Sequence, residues 1–374
     1  MVRYLSQYKG TYEIFAVSRC KETTEVLLSQ TLKVGEFSDD CLTILPDNIF
    51  VPILETEKEK MSVFNEYDVL EINEKGIIYR WYSDAEGDAG IATTSLCNSN
   101  CIMCPASENE RQRKSNFTLE QIDMVLKHLP KDLWNFTITG GEPTLIGEND
   151  FIHVLNAVKN ELPYTKVLLL TNGRTLGDKE FFERFIAEKP KHMRVAIPIH
   201  GSTADKHDYI TQAKGSFDQT LRAIVNLLKA NVEVEIRIVV SKLNCNDITQ
   251  IANLIATKFP TVAVVNFVGL EMRGNCVVNA DDVLISYQEA FNNSKAGIKL
   301  LVYSGINVGL YNFPYCMIDK GFWPIAQKSI SAYKSMFYDE CDRCSLREEC
   351  CGVFLATMNF YKPKVFPIIN GECI

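Results

Sequence analysis

No apolar run in these 374 residues approaches the ~20 consecutive residues that a membrane-spanning helix needs. The opening stretch, MVRYLSQYKGTYEIF, has no apolar signal-peptide core, so a cytoplasmic chain is the expectation. An excess of positive charge is also missing. Lys and Arg number 39 against 47 Asp and Glu, a formal net charge of −8, which gives nucleic acid or an anionic membrane no electrostatic footing. No repeat or low-complexity segment breaks the chain. With 46% hydrophobic and 23% charged residues it reads as an ordinary soluble globular protein, long enough for one large domain and one or two small ones.

Cysteine, by contrast, is plentiful, with 13 residues. A reducing compartment disfavours disulfides, so clustered cysteines there point to metal. Cys97, Cys101 and Cys104 form one group. Cys316, Cys341, Cys344, Cys350, Cys351 and Cys373 gather towards the C-terminus. The scattered Cys20, Cys41, Cys245 and Cys276 read as buried small hydrophobes.

Residues 1–88 contain short strand-like runs, CLTIL, NIFVPIL, YDVLEIN and GIIYRWY, separated by turn-rich FSDD, LPDN and INEKG. They predict a small β-rich domain with no chemical motif. From residue 89 the pattern alternates strand and helix. GIATTS, NFTIT, KVLLLTN, MRVAIPI, VEVEIRIVVS and VAVVNFVGLE are the strands, several of them continuously apolar as in parallel strands covered on both faces. TLEQIDMVLKHL puts Leu119, Ile122, Val125, Leu126 and Leu129 on one helical face, with Thr118 and Gln121 at capping-box spacing. SFDQTLRAIVNLLKA does the same with Phe217, Leu221, Ile224, Val225 and Leu228, and Ser216 and Gln219 are spaced likewise. Six such units with right-handed crossovers predict an α/β fold, a partial (β/α)6 barrel over residues 89–304. An extension covers residues 305–374. Ligands of such sheets sit at the C-terminal strand ends, so chemical residues are expected just after strands.

LCNSNCIMCP follows the first core strand with spacing C-x3-C-x2-C. Three thiolates on one tight loop suit a 4Fe–4S cluster with its fourth iron open, whereas electron-transfer clusters commonly have four cysteines. An open coordination position is catalytic by the logic of catalytic zinc, and zinc binding is the competing reading. The next strand runs into Gly140-Gly141-Glu142-Pro143-Thr144. The glycines permit close backbone approach, and their carbonyls and the Glu142 carboxylate offer acceptors to an ammonium group. The triplet and GGEP on consecutive strand ends are far more specific together than either alone.

This combination resembles the radical S-adenosylmethionine superfamily over about residues 89–290. The resemblance implies that Cys97, Cys101 and Cys104 hold the cluster. It also implies that the amine and carboxylate of S-adenosylmethionine chelate the fourth iron, and that Gly140, Gly141, Glu142 and Pro143 help fix the amine. Thr171-Asn172-Gly173 after the third strand fits as well, with Asn172 as a cofactor-binding candidate. Three departures stand out. Met103 occupies a position before the third cysteine that is often aromatic and belongs with the cofactor contacts. The fourth strand ends Pro198-Ile199-His200-Gly201 in place of S-x-D-G. The arginine often found after that strand is replaced by HDYIT. Arg237 is therefore the candidate for the cofactor carboxylate, because a guanidinium fork suits it; the alternative is that Arg237 pairs with Glu235. His200, the only histidine at a strand end, is a candidate acid/base or a structural hydrogen-bonder. His207 and Asp208 read as a surface pair.

ECDRCSLREECCG contains C-x2-C-x5-C at Cys341, Cys344 and Cys350, with Cys316 upstream in YNFPYCMIDKGFW. Four thiolates suffice for a closed auxiliary 4Fe–4S cluster; a zinc site is the alternative, and Cys373 is an alternative to Cys316. Cys351 reads as an unpaired thiol. The segment resembles the SPASM/twitch extensions of radical enzymes that modify peptides, shortened to one cluster. IPIHGSTADKHDYITQAKGSFDQT, GLEMRGNC and WPIAQKSIS resemble the HxsC-like branch of His-Xaa-Ser system radical maturases. That resemblance implies a ribosomally made precursor peptide as substrate. It further implies a one-electron donor such as flavodoxin or ferredoxin, and a second radical S-adenosylmethionine protein as partner. A small-molecule substrate and a non-catalytic metal-binding protein remain alternatives.

Overall fold

Strand β2 (Glu13–Ser18) is buried along its whole length, although the chain around it is an antiparallel sheet. The computed structural model describes residues 3–38, 41–113, 117–328 and 334–373. Contacts divide the chain into two units. One is Met1–Thr94 with Asn116–Leu169 and Ala187–Met193; the other is Ser95–Ser115 with Leu170–Ile186 and Arg194–Ile374.

In the first unit β2 joins β1 (Arg3–Leu5), β3 (Val34–Phe37), β4 (Cys41–Leu45), β5 (Ile49–Pro52), β6 (Val69–Ile72) and β7 (Ile77–Tyr82), in the order β1-β7-β6-β2-β3-β4-β5. All pairs are antiparallel except β2 with β3. Ser6 bridges Ile53, and the Gln7 N–H donates to the Pro52 carbonyl at 3.1 Å, so the ends of the two edge strands meet. Closing a sheet in this way removes unpaired edges. Phe15 and Val17 point into a core with Leu42, Ile44, Val51, Leu70 and Ile72. Ala16, one residue out of phase, packs with Leu27, Leu32 and Val34 under the helix Lys21–Ser29. The period-2 geometry of a strand explains why both faces of β2 are apolar. The runs CLTIL, NIFVPIL, YDVLEIN and GIIYRWY are β4 to β7, whereas β2 and its helix were not picked out by pattern. Asp39 and Asp40 of FSDD lie outside the described residues, as do residues 329–331 of WPIAQKSIS.

In the first unit the parallel strands β8 (Asp88–Ala92), β9 (Asn135–Thr139) and β10 (Lys166–Leu170) neighbour one another in chain order, and in the second so do β11 (Met193–Pro198), β12 (Glu233–Val239), β13 (Val264–Val268), β14 (Val308–Tyr311) and β15 (Ala326–Gln327). Helices separate β8 through β14. The six expected parallel strands are β8 to β13, and the α/β partial-barrel class holds. The segment after residue 305 adds β14 and β15.

The helix Leu119–His128 carries its expected capping box, with Thr118 and Gln121 bonding reciprocally, and buries Ile122, Val125, Leu126 and Leu129; Leu119 is half-buried. The helix Ser216–Lys229 differs from expectation. Gly215 is its N-cap, and the Ser216 hydroxyl donates instead to Asp208 Oδ1 at 2.8 Å. The Asp208 carboxylate accepts from the Gly215 and Phe217 amides, so a residue from the preceding helix replaces the local cap. The buried face is Phe217, Thr220, Ala223, Ile224 and Leu227, while Leu221, Val225 and Leu228 are half-buried. Of the scattered cysteines, Cys245 and Cys276 are buried, but Cys20 is exposed at a helix N-terminus and Cys41 half-buried at a strand start. Neither place supplies an apolar surround.

Candidate functional site

The cysteine triplet lies in the second unit, on a loop with no regular structure of its own. Its backbone groups must therefore find partners elsewhere. Three segments supply them. The Asn100 and Ile102 amides donate to the Thr211 and Ile210 carbonyls, both at 3.0 Å. From the turn after β10, Arg174 Nη1 donates to the Asn98 carbonyl and, at 3.2 Å, to the Ser99 hydroxyl, while Asn172 Nδ2 donates to Asn98 Oδ1 at 2.7 Å. From the segment after β13, Asn275 Nδ2 donates to the Cys101 carbonyl at 3.1 Å and its amide to the Cys104 carbonyl at 2.9 Å. Asn279 Nδ2 donates to the Ile102 carbonyl at 3.0 Å, and the Cys276 thiol to the Met103 carbonyl at 2.8 Å. Burial pushes the Cys276 thiol up to about 12, which keeps the proton it donates.

Gly274 makes this approach possible. Its φ is +59°, and a Cβ there would lie 2.5 Å from the Pro105 carbonyl oxygen. Met103 is buried with Ile210, Leu270, Met272, Cys276 and Val283, so its side chain serves an apolar cluster. Asn172, expected to meet the cofactor, holds the loop. The GLEMRGNC run was noted only as a resemblance; its Asn275 and Cys276, with Asn279 just beyond, are structural partners that sequence reasoning missed. An amide side chain some 175 positions beyond a motif carries no local signal.

Burial and the neighbouring Cys104 and Cys97 thiols push Cys101 up to about 12, against the pull of the Arg111 guanidinium. Thiolates so crowded need a cation beside them, and coordination to a metal deprotonates a thiol outright. The donor set thus fits iron bound by three cysteines.

The Gly140–Pro143 turn lies in the first unit at the end of β9. Gly140 has φ +152°, and a Cβ would fall 2.4 Å from the Thr94 carbonyl oxygen. The Gly141 amide donates to that same carbonyl at 2.8 Å, and the Thr93 hydroxyl to the Pro143 carbonyl at 3.0 Å. The close approach that glycine permits here is thus to the chain after β8. Glu142 is fully buried, and its carboxylate accepts from the Thr144 hydroxyl at 2.8 Å.

In the second unit, Arg237 Nε donates to Glu235 Oε1 at 2.7 Å, the strand-neighbour pairing that stood as the alternative. His200 and His207 are both buried, with ring centroids 5.5 Å apart. Burial lowers His200 to about 3 and His207 to about 4, so both are neutral at pH 7. Accordingly His207 Nδ1 accepts from the His200 amide at 3.2 Å. The expected His207–Asp208 surface pair is not formed in that sense, since Asp208 caps the next helix and His207 is interior. His200 Nδ1 is buried without a hydrogen-bond partner among the described residues.

Cys316, Cys341, Cys344 and Cys350 line one cavity in the C-terminal segment. The surrounding elements are two-residue strands and single 3-10 turns. Backbone amides point at the sulfurs. Ile368 N–H donates to Cys344 Sγ and Gly352 N–H to Cys350 Sγ, each at 3.4 Å. Such N–H···S contacts are a protein's means of tuning iron–sulfur clusters. Among the described residues, no three Cys, His, Asp or Glu side chains are gathered as around a single ion. Cys351 is buried beside its neighbour, its thiol donating to the Gly352 carbonyl at 3.2 Å. Cys373 is exposed and is not among the residues lining the cavity.

Residues 91–255 match the Radical SAM superfamily. That segment contains the triplet, the Gly140–Pro143 turn, Asn172, His200 and Arg237. Among curated proteins, the chain is 27% identical over 172 residues to the mycofactocin maturase MftC of Mycolicibacterium smegmatis, covering 46% of this chain and 42% of that protein. It is 25% identical over 162 residues to the sporulation killing factor maturation protein SkfB of Bacillus subtilis, covering 42% and 37%. An AdoMet-dependent heme synthase of Methanosarcina barkeri is 28% identical over 165 residues, covering 42% and 43%. The chain thus matches less than half the length of each of these relatives. Among the described residues no helix is long and apolar enough to cross a membrane.

Proposed function

Residues 91–255 form a domain of the radical SAM superfamily, and on that premise we propose that the chain cleaves S-adenosylmethionine reductively and modifies a ribosomally made peptide. When bound, a 4Fe–4S cluster with an open iron supplies the electron that turns S-adenosylmethionine into methionine and a hydrogen-abstracting 5′-deoxyadenosyl group. Cys97, Cys101 and Cys104 are the residues that would hold it. The observation carrying the proposal is the triplet loop, whose carbonyls from Asn98 and from Cys101 through Cys104 each receive a donor from the chain. Such a loop presents three thiols with little freedom left to lose, which lowers the entropic cost of seating a cluster.

The Gly140–Pro143 turn is assigned to the cofactor amine and Arg237 to its carboxylate, on the superfamily resemblance and on guanidinium chemistry respectively. Arg237 already spends one donor on Glu235, so its terminal nitrogens are the ones assigned to the carboxylate. His200, neutral and interior, is assigned a hydrogen-bonding role to the cofactor and no proton transfer near pH 7.

Cys316, Cys341, Cys344 and Cys350 are assigned an auxiliary 4Fe–4S cluster, which the cavity and the amides aimed at sulfur support. The peptide substrate is supported by the likeness to two maturation proteins and by the SPASM/twitch-like extension. We assign the chain to the HxsC-like branch, with a flavodoxin or ferredoxin as electron donor and a second radical SAM protein as partner. Co-expression with a precursor peptide from the gene neighbourhood, followed by mass spectrometry, tests the substrate class. Transfer of deuterium from a labelled peptide into 5′-deoxyadenosine supports the reading. Unlabelled 5′-deoxyadenosine with an unmodified peptide would instead favour a small-molecule substrate, the reading that the 28% identity to a heme synthase supports.

A further inference from the structure

The wall of the four-cysteine cavity carries two donors whose bonds lead nowhere. Tyr338 and Arg347 both line it. Tyr338 Oη and Arg347 Nε are each shielded from solvent, and neither has a hydrogen-bond partner among the described residues. Arg347 Nε lies 3.6 Å from Asp342 Oδ1, beyond hydrogen-bond length. Arg347 is otherwise engaged through Nη1, 3.2 Å from Glu348, and through its plane, 4.9 Å from the centroid of Phe337. A buried donor left unmade costs about 1–3 kcal/mol, and two on one wall need a common explanation.

An acceptor-rich, anionic occupant provides one. A single zinc would draw its four thiolates in to ~2.3 Å and offer the wall only those sulfurs as acceptors. A cube adds bridging sulfides that face outward and carries net negative charge with four thiolates. We infer that Tyr338 and Arg347 donate hydrogen bonds to sulfur atoms of the auxiliary cluster and raise its reduction potential. This rests on the auxiliary-cluster reading above. Both are positioning and tuning residues. A donor to sulfur stabilises the more negative, reduced state more than the oxidised one, so losing it lowers the potential.

The test uses the full chain with Cys97, Cys101 and Cys104 replaced by Ala, so that only the auxiliary site contributes signal. Anaerobically reconstituted protein is titrated by EPR, with and without Tyr338→Phe and Arg347→Gln. Each variant is expected to bind an electron about tenfold more weakly, a fall of about 59 mV for a one-electron couple. Pulsed ENDOR after exchange into D2O provides a second readout that needs no potential. An exchangeable deuteron coupled to the cluster should weaken in Tyr338→Phe. Iron and sulfide at parental levels, with potential and deuteron coupling unmoved in both variants, overturn this inference alone. Zinc, or neither iron nor sulfide, in the parental triple variant overturns the auxiliary-cluster reading itself.

Discussion

The two cysteine sites are built in opposite ways. The triplet loop is held by what surrounds it: donors from the turn after β10, the helix Ala204–Thr211 and the segment after β13 complete its backbone hydrogen bonds. The four-cysteine segment has little to hold it. Its strands are two residues long, and its amides point inward at sulfur. One site is organised by hydrogen bonds from the surrounding chain. The other has short elements and few such bonds, the pattern of small modules whose folding is coupled to metal. The contrast is one of degree, since the extension also has a partner beyond itself, the Thr357 hydroxyl accepting from the Met272 amide at 3.1 Å.

The largest test of that contrast is removal of the ligands. Replacing Cys97, Cys101 and Cys104 with Ala should abolish reductive cleavage of S-adenosylmethionine while iron falls from about eight to about four per chain. Production of 5′-deoxyadenosine by the triple variant would sink the proposed activity. Replacing Cys341 and Cys344 should likewise halve the iron, and should also open residues 305–374 to hydrogen exchange. The triplet loop should stay protected in both apo forms. Equal loss of protection at the two sites would erase the distinction between them.

Smaller changes sharpen it. Asn275→Ala or Asn279→Ala leaves loop carbonyls without their donors and should destabilise the second unit by about 1–3 kcal/mol, read by denaturant unfolding. No comparable single amide should exist in the extension. Glu142→Gln should weaken S-adenosylmethionine binding about tenfold by calorimetry, since it removes one charge-assisted contact. Unchanged affinity would remove Glu142 from the cofactor's partners.

The last effect concerns pH and the first unit. His128 is buried and lowered to about 4, its Nε2 accepting from the Lys33 amide at 3.1 Å. The unfolded chain takes up this proton near pH 6.5 and the folded chain only near pH 4. The contribution of the neutral ring is therefore complete above pH 6.5 and is lost as pH falls towards 4. At pH 5 the loss is about 2 kcal/mol. A His128→Asn variant should lack this slope between pH 7 and 5; an identical slope would place the acid sensitivity elsewhere.

Much of the architecture could be read from pattern. Six parallel strands, the helix opened by Thr118 and Gln121, and the β-rich start follow from periodicity, because burial on one or both faces imposes its repeat on neighbouring residues. Misreadings occurred where a distant residue decides. Ser216 has the spacing of a cap, but Asp208 takes the position. Glu13–Ser18 looked like no particular element because two different cores cover its faces.

By itself, the sequence determined the chemistry on offer: three thiols on a strand-end loop, a glycine-rich acidic turn one strand later, and four more thiols near the C-terminus. Those depend on residue type and short spacing, which the chain carries locally. Only the tertiary structure decided that Asn275, Cys276 and Asn279 hold the first loop, that Asn172 serves it too, and that Cys316 joins the cavity from which Cys373 is absent. Hydrogen bonds between residues some 175 positions apart leave no periodic trace, because a single donor meeting a single carbonyl constrains two points in space and nothing in the residues between them.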